Sequence, residues 1–323
     1  MFVGTARGIE ARLVPEAGFA LETIRSAGLK GIGGMRLVRN AAMLLPSMWD
    51  SFAILQRHRF AAALGVGGYA AGPMMLAAAL TGTPTVIFEP NAAPGFTNRV
   101  LAGAVDRIAT AYEAPTRGWG SKATLTGIPV RPEFFAIPSR TPAEPFHLLI
   151  TGGSQGAQII NRTFMAAAGL LAANKTRISV VHQTGERDYN AVREAYARSE
   201  LNAEVLPFIK NMAERFAPAD LIICRAGAIT AAEVAAAGRA ALFIPFGAST
   251  DSHQLRNAQE MQRAGAARLI PETQLTAERL TQEIFSLLDR PDELQAMAAQ
   301  ARRLAKPEAA RDIVRLIEKA AGA

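Results

Sequence analysis

The sequence predicts an α/β protein built from two doubly wound parallel-sheet domains, and three observations lead to this prediction. Short apolar runs alternate with longer helical patterns along all 323 residues, which is typical of parallel strands joined by crossover helices. The alternation occurs twice, once in each half. Between the halves lies the segment 136–145, with three prolines in ten residues, which reads as a linker. We place the domains at residues 1–138 and 139–323 and expect the last helix to pack back on the first domain.

Seven strands follow from the apolar runs, three in the first domain and four in the second. Several of them end in Gly, Pro or a polar residue and lead into a helical pattern. In doubly wound folds, ligands bind beyond the carboxyl ends of the strands, so the cleft between the domains is the expected site. The predicted strands are 61–64, 85–88, 107–109, 147–151, 178–182, 221–224 and 241–245.

Composition and charge exclude several classes of protein. Half of the residues are hydrophobic and 20% are charged, an ordinary globular composition. No run of 18 apolar residues without charge predicts a transmembrane helix. The single cysteine, Cys224, cannot form an internal disulfide and fits a reducing compartment. Of the net charge of +7, residues 1–140 carry +6. No stretch interleaves aromatic and basic residues as single-strand nucleic-acid binders do, so we expect an anionic membrane surface rather than nucleic acid.

The segment 27–59 mixes basic and apolar residues at helical spacing, with Asp50 as its only acid. Such a pattern is typical of a helix lying in a lipid interface. The alternative is that the apolar residues cover the sheet and the charges are solvated. The basic members are Lys30, Arg36, Arg39, Arg57 and Arg59, and the apolar members are Leu37, Val38, Met43, Leu44, Leu45, Met48, Trp49 and Phe52.

The clearest motif for chemistry is LLITGGSQGA, residues 148–157, in which a hydrophobic strand runs into a glycine-rich turn and then a helical pattern. Glycines let the backbone turn tightly, and the following helix N-terminus offers unpaired N–H groups to a phosphate. The motif is neither a Walker loop nor GxGxxG. The alternative is a plain tight turn between a strand and a helix.

A second motif of the same design is CRAGAITAAE, residues 224–233. The strand ends at Cys224, Gly227 turns, and a helix of small residues begins. Glu233 would accept hydrogen bonds from a ribose diol; the alternative is an alanine-rich packed helix with a solvated glutamate. Two such turns in one domain favour a nucleotide diphosphate as ligand.

Two further glycine-bearing segments, GVGGYAAGP and FEPNAAPG, follow strands of the first domain. Glu89 stands at a strand end, where a carboxylate is either a structural cap or a general base. Arg131 is either a phosphate contact or a solvated charge. The scattered histidines and the absence of HExxH and DxD motifs argue against a metal centre. We expect His182 and Cys224 to be buried.

Together these motifs resemble the MurG family, the UDP-N-acetylglucosamine:N-acetylmuramyl-(pentapeptide) pyrophosphoryl-undecaprenol N-acetylglucosaminyltransferases of peptidoglycan synthesis. The resemblance implies a GT-B fold of two Rossmann-like domains with an interdomain cleft, the donor being held mainly by the second. The matching pieces are FVGTARGIEARLVP, GVGGYAAGP, EPNAAPGFTN, GIPVRPEF, ITGGSQGAQIIN, CRAGAITAAEVAAAG, ALFIPF and SHQLRNA.

The resemblance also implies roles for individual residues. Ser154 resembles the diphosphate contact, Glu233 the ribose contact, and Ile209 a backbone contact to uracil. Residues expected to bind UDP-GlcNAc are Asn91, Arg131, Ser154, Ile209, Ala228, Ile229, Thr230, Ala231, Ala232, Glu233, His253 and Gln254. Gly67, Gly68 and Tyr69 are expected on the acceptor side.

Family members carry a strand and a GGTGGH loop before the FVGT segment, with which this sequence begins. We therefore expect an incomplete first domain with two unpaired strands, and weak or no activity. The loop histidine usually proposed as general base belongs to that segment, which leaves Glu89 as the best remaining catalytic carboxylate.

The activity implied is inverting, metal-independent transfer of GlcNAc from UDP-GlcNAc to lipid I, giving lipid II, without a cofactor. The expected place is the cytoplasmic face of the bacterial inner membrane, as a peripheral protein. One alternative is another GT-B lipid glycosyltransferase, such as a diacylglycerol glucosyltransferase. The other alternative is a non-catalytic protein that binds nucleotide sugars or acts as a scaffold, or a catalytically impaired fragment.

Overall fold

A computed structural model describes residues 1–25, 44–68, 70–247 and 252–322 of the chain. Its contacts divide these residues into two compact units. The first unit comprises the described parts of Met1–Pro90, Pro94–Gly127 and Ala310–Ala323. The second comprises Asn91–Ala93 and Ile128–Ala309 without the residues at 248–251. Both units contain parallel sheets with helices.

The second unit contains a six-stranded sheet with the order β12-β11-β10-β7-β8-β9, in which every neighbouring pair is parallel. Its strands are β7 (Phe146–Thr151), β8 (Ile178–Gln183), β9 (Ala203–Leu206), β10 (Leu221–Cys224), β11 (Ala240–Phe243) and β12 (Ala267–Leu269). Its helices are α6 (Pro132–Phe135), α7 (Gln158–Ala172), α8 (Tyr189–Arg198), α9 (Met212–Phe216), α10 (Ala228–Ala237), α11 (His253–Arg263), α12 (Ala277–Leu288) and α13 (Pro291–Leu304).

The central strands of this sheet are apolar on both faces because helices cover both faces. Side chains of a strand alternate between the faces. Leu148 and Ile150 therefore join a core with α7, α8, α12 and α13, whereas Leu149 joins a second core with α9, α10 and α11. The sheet is thus doubly wound, and the carboxyl ends of its strands all lie at one edge.

The first unit contains two parallel sheets. One consists of β1 (Phe2–Gly4) and β2 (Leu21–Thr23), and the other has the order β3-β4-β5-β6. Among the described strands of this unit, those at the ends of the two sheets have one neighbour each, β1 and β2 in the first sheet and β3 and β6 in the second. The remaining elements are β3 (Ala63–Gly65), β4 (Thr85–Glu89), β5 (Arg107–Thr110), β6 (Ala123–Leu125), α1 (Glu10–Glu16), α2 (Leu44–Arg57), α3 (Ala71–Leu80), α4 (Phe96–Leu101) and α5 (Glu113–Trp119).

The last helix, α14 (Ala309–Ala321), packs within the first unit. Its residues Ile313 and Leu316 form a small core with Val86 on β4 and Ala109 on β5. The opposite face of the same strands packs against α3 and α4. The four-stranded sheet is therefore covered on both faces, like the sheet of the second unit.

All seven predicted strands are confirmed, with bounds that differ by at most two residues. The segment 136–145, however, is not a free linker. Its Ile137 is buried, and Arg302 donates a hydrogen bond to the Ile137 carbonyl. Arg239, itself buried, donates to the carbonyl of Pro138. Prolines remove donors and regular structure from this segment, but its carbonyls still need partners, and arginines of the second unit supply them.

The prediction that His182 lies in the core is also confirmed. The ring is fully buried on β8, with Nδ1 2.7 Å from the Tyr196 hydroxyl and Nε2 3.2 Å from Oδ1 of Asn161. Burial disfavours the charged imidazolium and lowers the pKa of His182 to about 3.

The low pKa of His182 predicts acid instability of the second unit. Below pH 6.5 the unfolded chain takes up a proton that the folded core excludes, so the free energy of unfolding decreases toward pH 3, by roughly 5 kcal/mol in all. We expect His182→Asn to flatten this dependence in urea unfolding measured between pH 7 and pH 4. Leu171→Ala, a core truncation without a titrating group, should lower stability but keep the slope. Equal slopes for His182→Asn and the wild type would contradict the prediction.

Candidate functional site

The two glycine-bearing turns of the second unit lie side by side. Strands β7 and β10 are parallel neighbours, with Thr151 paired to Cys224 at their carboxyl ends. The turn after β7 leads into α7 and the turn after β10 leads into α10. Neither the N-cap Ala157 of α7 nor the N-cap Gly227 of α10 has a side-chain hydrogen bond that caps the helix. Both helices therefore direct backbone N–H groups and the positive end of a dipole toward the same edge of the sheet.

The turn after β7 requires glycine at two positions. Gly153 and Gly156 have φ values of +87° and +73°, a region that favours glycine. A Cβ at Gly156 would overlap the carbonyl of Thr184. Ser154, between them, is exposed. The turn is consequently seated on the end of β8 while its outer side faces solvent.

Helix α10 places Glu233 beside Arg131. Nη2 of Arg131 lies 3.5 Å from Oε1 of Glu233, and its guanidinium also lies 3.5 Å from Glu133 and over the Phe134 ring. Burial raises the pKa of Glu233, and the neighbouring Arg131 partly offsets this. Two residues that are 102 positions apart thus form one charged pair, beside the second turn of α10.

The other residues of α10 that are predicted to bind UDP-GlcNAc differ in their exposure to solvent. Ile229 is exposed, Ala231 is buried, and Ala228, Thr230 and Ala232 are half-buried. Apart from the exposed Ile229, the helix start therefore presents small side chains rather than bulky polar groups. Cys224, just before this turn, is buried as expected, and burial raises the pKa of its thiol.

Helix α11 holds the segment 91–93 within the second unit. Oδ1 of Asn257 accepts the Ala92 N–H at 2.9 Å, and its Nδ2 donates to Oδ1 of Asn91 and to the carbonyl of Ala226. One turn earlier, Nδ1 of His253 donates to the Ala93 carbonyl at 2.9 Å. Ala226 precedes the turn into α10. Asn257 therefore connects the predicted donor contact Asn91 to that turn through hydrogen bonds.

Sequence reasoning missed Asn257. Its signal was its place in SHQLRNA, four residues after His253 and hence on the same face of a helix. Gln254, the second predicted residue of this motif, accepts the Phe246 N–H through Oε1. The side chain of Ile209 is buried in the core, so a ligand contact at this position falls to its backbone.

Glu89 is buried in the first unit, and its contacts are those of a cap. Its Oε2 accepts the Gly95 N–H at 2.8 Å and Nδ2 of Asn98 at 2.9 Å. Gly95 is the N-cap residue of α4. A general base has to reach the proton that it removes, whereas Oε2 of this carboxylate, at the end of β4, binds the start of α4. These two contacts are those of a structural cap, and the role of Glu89 as general base stays a prediction.

The glycines expected on the acceptor side follow β3 in the same unit. Gly67 and Gly68 both have positive φ, near +90° and +82°. Strands β3 and β4 are parallel neighbours, so these glycines lie at the same sheet edge as Glu89. The third acceptor-side residue, Tyr69, lies outside the described residues, as do Lys30, Arg36, Arg39, Leu37, Val38 and Met43 of the basic-apolar segment.

The described residues form neither a metal-binding cluster nor a membrane-spanning helix. Within residues 1–25, 44–68, 70–247 and 252–322, no three His, Cys, Asp or Glu side chains come together as a metal-binding group would require. Among the helices that the structure describes, none has both the length and the apolar character needed to cross a bilayer.

The fold and the paired turns define a class of protein, the hexosyltransferases of GT-B fold. A solved structure of Acinetobacter baumannii MurG matches with a TM-score of 0.82 and 32% identity, over 98% of this chain and 90% of that one. A UDP-GlcNAc 2-epimerase from Neisseria meningitidis also matches, with a TM-score of 0.64 at 13% identity over 98% of each chain. That second likeness shows the fold alone.

Sequence comparisons identify the family. The glycosyltransferase family 28 N-terminal domain matches residues 1–110 and its C-terminal domain matches residues 147–315. The UDP-N-acetylglucosamine–N-acetylmuramyl-(pentapeptide) pyrophosphoryl-undecaprenol N-acetylglucosamine transferase of Pelobacter propionicus is 43% identical, over 97% of this chain and 89% of the relative. The Myxococcus xanthus enzyme of the same name is 42% identical, over 97% and 82%. The chain belongs to the MurG family.

Proposed function

We propose that this chain transfers N-acetylglucosamine from UDP-GlcNAc to the C4 hydroxyl of the N-acetylmuramyl unit of lipid I, giving lipid II and UDP. The names of the relatives from Pelobacter propionicus and Myxococcus xanthus support this donor and acceptor. The structural observation that carries the proposal is the pair of uncapped helix starts at the neighbouring ends of β7 and β10. A pyrophosphate is the group that such a pair suits.

The donor would bind along this edge of the second unit. The pyrophosphate would lie against the turn containing Ser154 and the start of α10, which is formed by Ala228, Ile229, Thr230, Ala231 and Ala232. Glu233 would accept the ribose hydroxyls, and the backbone of Ile209 would contact the uracil. Asn91, His253 and Gln254 would contact the sugar, since α11 holds all three within the same unit.

The reaction needs a site that stabilises the departing UDP. The acceptor oxygen attacks the anomeric carbon, the bond from that carbon to the β-phosphate oxygen breaks, and the hydroxyl proton is released. Negative charge then grows on the pyrophosphate, where fixed N–H dipoles lower the barrier most effectively. Arg131 adds a full positive charge near the start of α10. Glu89 receives no proton-transfer role in this proposal, because it caps α4.

The acceptor is lipid-linked, and helix α2 offers a surface for a membrane. Its residues Ser47, Ser51 and Ile54 are buried toward the first unit. On another side of the helix, Leu45 and Trp49, one turn apart, are 79% and 74% exposed. Two large apolar side chains presented to solvent at this spacing suit a lipid interface. We propose that the protein binds the cytoplasmic face of the membrane peripherally through this surface.

Removing the two exposed side chains of α2 tests the membrane proposal. We expect the double substitution Leu45→Ala and Trp49→Ala to reduce co-sedimentation with phosphatidylglycerol-containing vesicles by about tenfold or more, because each side chain contributes roughly 1.5–3 kcal/mol on transfer from water. Leu170→Ala, an exposed leucine on α7 of the second unit, is the matched control and should bind as the wild type does. Equal sedimentation of the double variant and the control would contradict a role for α2.

Transfer assays test the proposed function itself. Purified protein is incubated with radiolabelled UDP-GlcNAc and either a lipid I analogue or diacylglycerol. Label in a lipid II product supports the proposal. Label only in a glycolipid derived from diacylglycerol, or UDP-GlcNAc binding without any transfer, would overturn it in favour of another lipid glycosyltransferase or a binding protein.

A further inference from the structure

A buried glutamine lies directly beneath the turn that contains Ser154. Gln183 is the last residue of β8, is 1% exposed, and pairs in register with Thr151 at the end of β7. A primary amide is costly to bury unless its donor and acceptor both have partners. Sequence reasoning assigned no role to Gln183.

The amide of Gln183 belongs to a closed ring of hydrogen bonds around Gly153. The Gly153 N–H donates to Oγ1 of Thr151 at 3.2 Å, and that hydroxyl donates to Oε1 of Gln183 at 3.5 Å. Nε2 of Gln183 donates back to the Gly153 carbonyl at 3.0 Å. The same carbonyl also accepts the Gly156 N–H at 2.9 Å. Both backbone groups of Gly153 are therefore fixed.

Fixing the Gly153 carbonyl also fixes the N–H of the next residue. The C=O of Gly153 and the N–H of Ser154 belong to one planar trans peptide, in which the two bonds point in opposite directions. Since the carbonyl is directed at Gln183 on β8, the Ser154 N–H is directed away from β8. This is the side on which the turn is exposed.

We propose that Gln183 is a positioning residue, which holds the Gly153–Ser154 peptide so that the Ser154 N–H faces the pyrophosphate of the donor. The inference rests on the proposed function, because it assumes that a nucleoside diphosphate binds at this turn. Gly153 itself does not supply the constraint. A glycine with φ of +87° has wide conformational freedom, so the orientation of the peptide depends on the two donors to its carbonyl, the Gly156 N–H within the turn and Nε2 of Gln183 on β8. Without Gln183, only the bond within the turn itself holds this carbonyl.

The substitution Gln183→Met tests this role, because methionine preserves the length of the side chain and removes both hydrogen bonds. Affinities for UDP and for uridine are measured by calorimetry and by competition. We expect UDP to bind about tenfold more weakly and uridine to bind within twofold of the wild type, as loss of one well-aligned donor to a charged group predicts. The KM for UDP-GlcNAc should rise in parallel with the Kd for UDP.

Two further variants separate positioning from a loss of fold. Leu171→Ala truncates the core of the same unit without touching the turn and should leave the ratio of the two affinities unchanged. Thr151→Val removes the hydroxyl group of the ring with little change in side-chain shape. It should also weaken the binding of UDP more than the binding of uridine. If Gln183→Met does not fold, Thr151→Val tests the inference in its place.

The outcomes distinguish this inference from the proposed function. A wild-type protein that binds no UDP would overturn the proposed function, and the inference with it. A wild type that binds UDP and transfers GlcNAc, together with a Gln183→Met variant in which UDP and uridine weaken equally or not at all, would overturn the inference alone.

Discussion

Replacing Glu233 with alanine is expected to raise the KM for UDP-GlcNAc by roughly 50-fold while leaving the fold intact. The carboxylate is largely buried on the second turn of α10, with 16% of its side chain exposed. A 50-fold change corresponds to about 2.3 kcal/mol, which is within the range of about 1.5–3 kcal/mol for the net loss of a hydrogen bond from a ribose hydroxyl to a charged acceptor. Isothermal titration calorimetry with UDP-GlcNAc, and steady-state kinetics, measure the change.

The matched control for this prediction is Glu133→Ala. Glu133 also lies 3.5 Å from Arg131, but it belongs to α6 and its side chain is half exposed. If Glu233 acted only by modulating the charge of Arg131, both substitutions would weaken UDP-GlcNAc binding similarly. We expect the control to change the KM by less than about twofold, as for an exposed ion pair. Equal affinities for the Glu233→Ala variant and the wild type would contradict the assigned role.

Substitution of Glu233 by glutamine should give a KM for UDP-GlcNAc between those of the wild type and the alanine variant. The pH dependence of donor affinity should distinguish the glutamine variant from the wild type. Burial raises the pKa of Glu233 above its ordinary value, so the wild-type carboxylate starts to gain a proton at a higher pH than an exposed glutamate does. Donor affinity in the wild type should accordingly fall as the pH is lowered through this raised pKa. The glutamine variant has no such group and should lack this acidic limb.

Six of the seven strands predicted from the sequence lie inside a sheet, where their position makes them apolar, and the exception is the edge strand β3. Leu221–Cys224, for example, is buried at every residue and has the predicted bounds. A strand covered by helices on both faces has to be a continuous apolar run. Such a run can be recognised in the sequence without knowing which strands lie beside it.

The strands that the sequence did not predict include edge strands, which lack such a run. Strands β9 and β12 form the two edges of the six-stranded sheet, and β6 forms one edge of the four-stranded sheet. Glu204 on β9 and Arg268 on β12 interrupt the apolar pattern, and each forms an ion pair. Charged residues are usual on sheet edges because they discourage pairing with other chains.

In the candidate site as well, features formed by neighbouring residues were predictable from the sequence, and features formed by residues far apart in the chain were not. The turns containing Gly153 and Gly227 are local, so their glycines revealed them. The roles of Asn257 and Gln183 depend on partners far away in the chain, with Asn257 contacting Ala92 across 165 positions. The sequence around a single Asn or Gln does not indicate whether its side-chain amide is exposed or buried. Only the fold shows which backbone groups that amide binds.

The largest effect on the glycine turn is expected from Gly156→Ala. Gly156 has φ of +73°, and an added Cβ would overlap the carbonyl of Thr184, which is backbone and cannot swing aside. The turn would have to move off the end of β8, carrying Ser154 and the start of α7 with it. Hydrogen bonds weaken steeply when donors are displaced, so we expect the UDP affinity to fall by about 100-fold. The free energy of unfolding should decrease by about 2 kcal/mol or more.

Gly169→Ala is the matched control, since it makes the same chemical change on α7, the helix that this turn begins. A Cβ at Gly169 would meet open space, and alanine is favoured over glycine inside a helix by about 1 kcal/mol. This variant should therefore bind UDP like the wild type and be slightly more stable. If Gly156→Ala binds UDP as tightly as Gly169→Ala does, the turn after β7 does not hold the pyrophosphate. The donor would then have to bind through α10 alone.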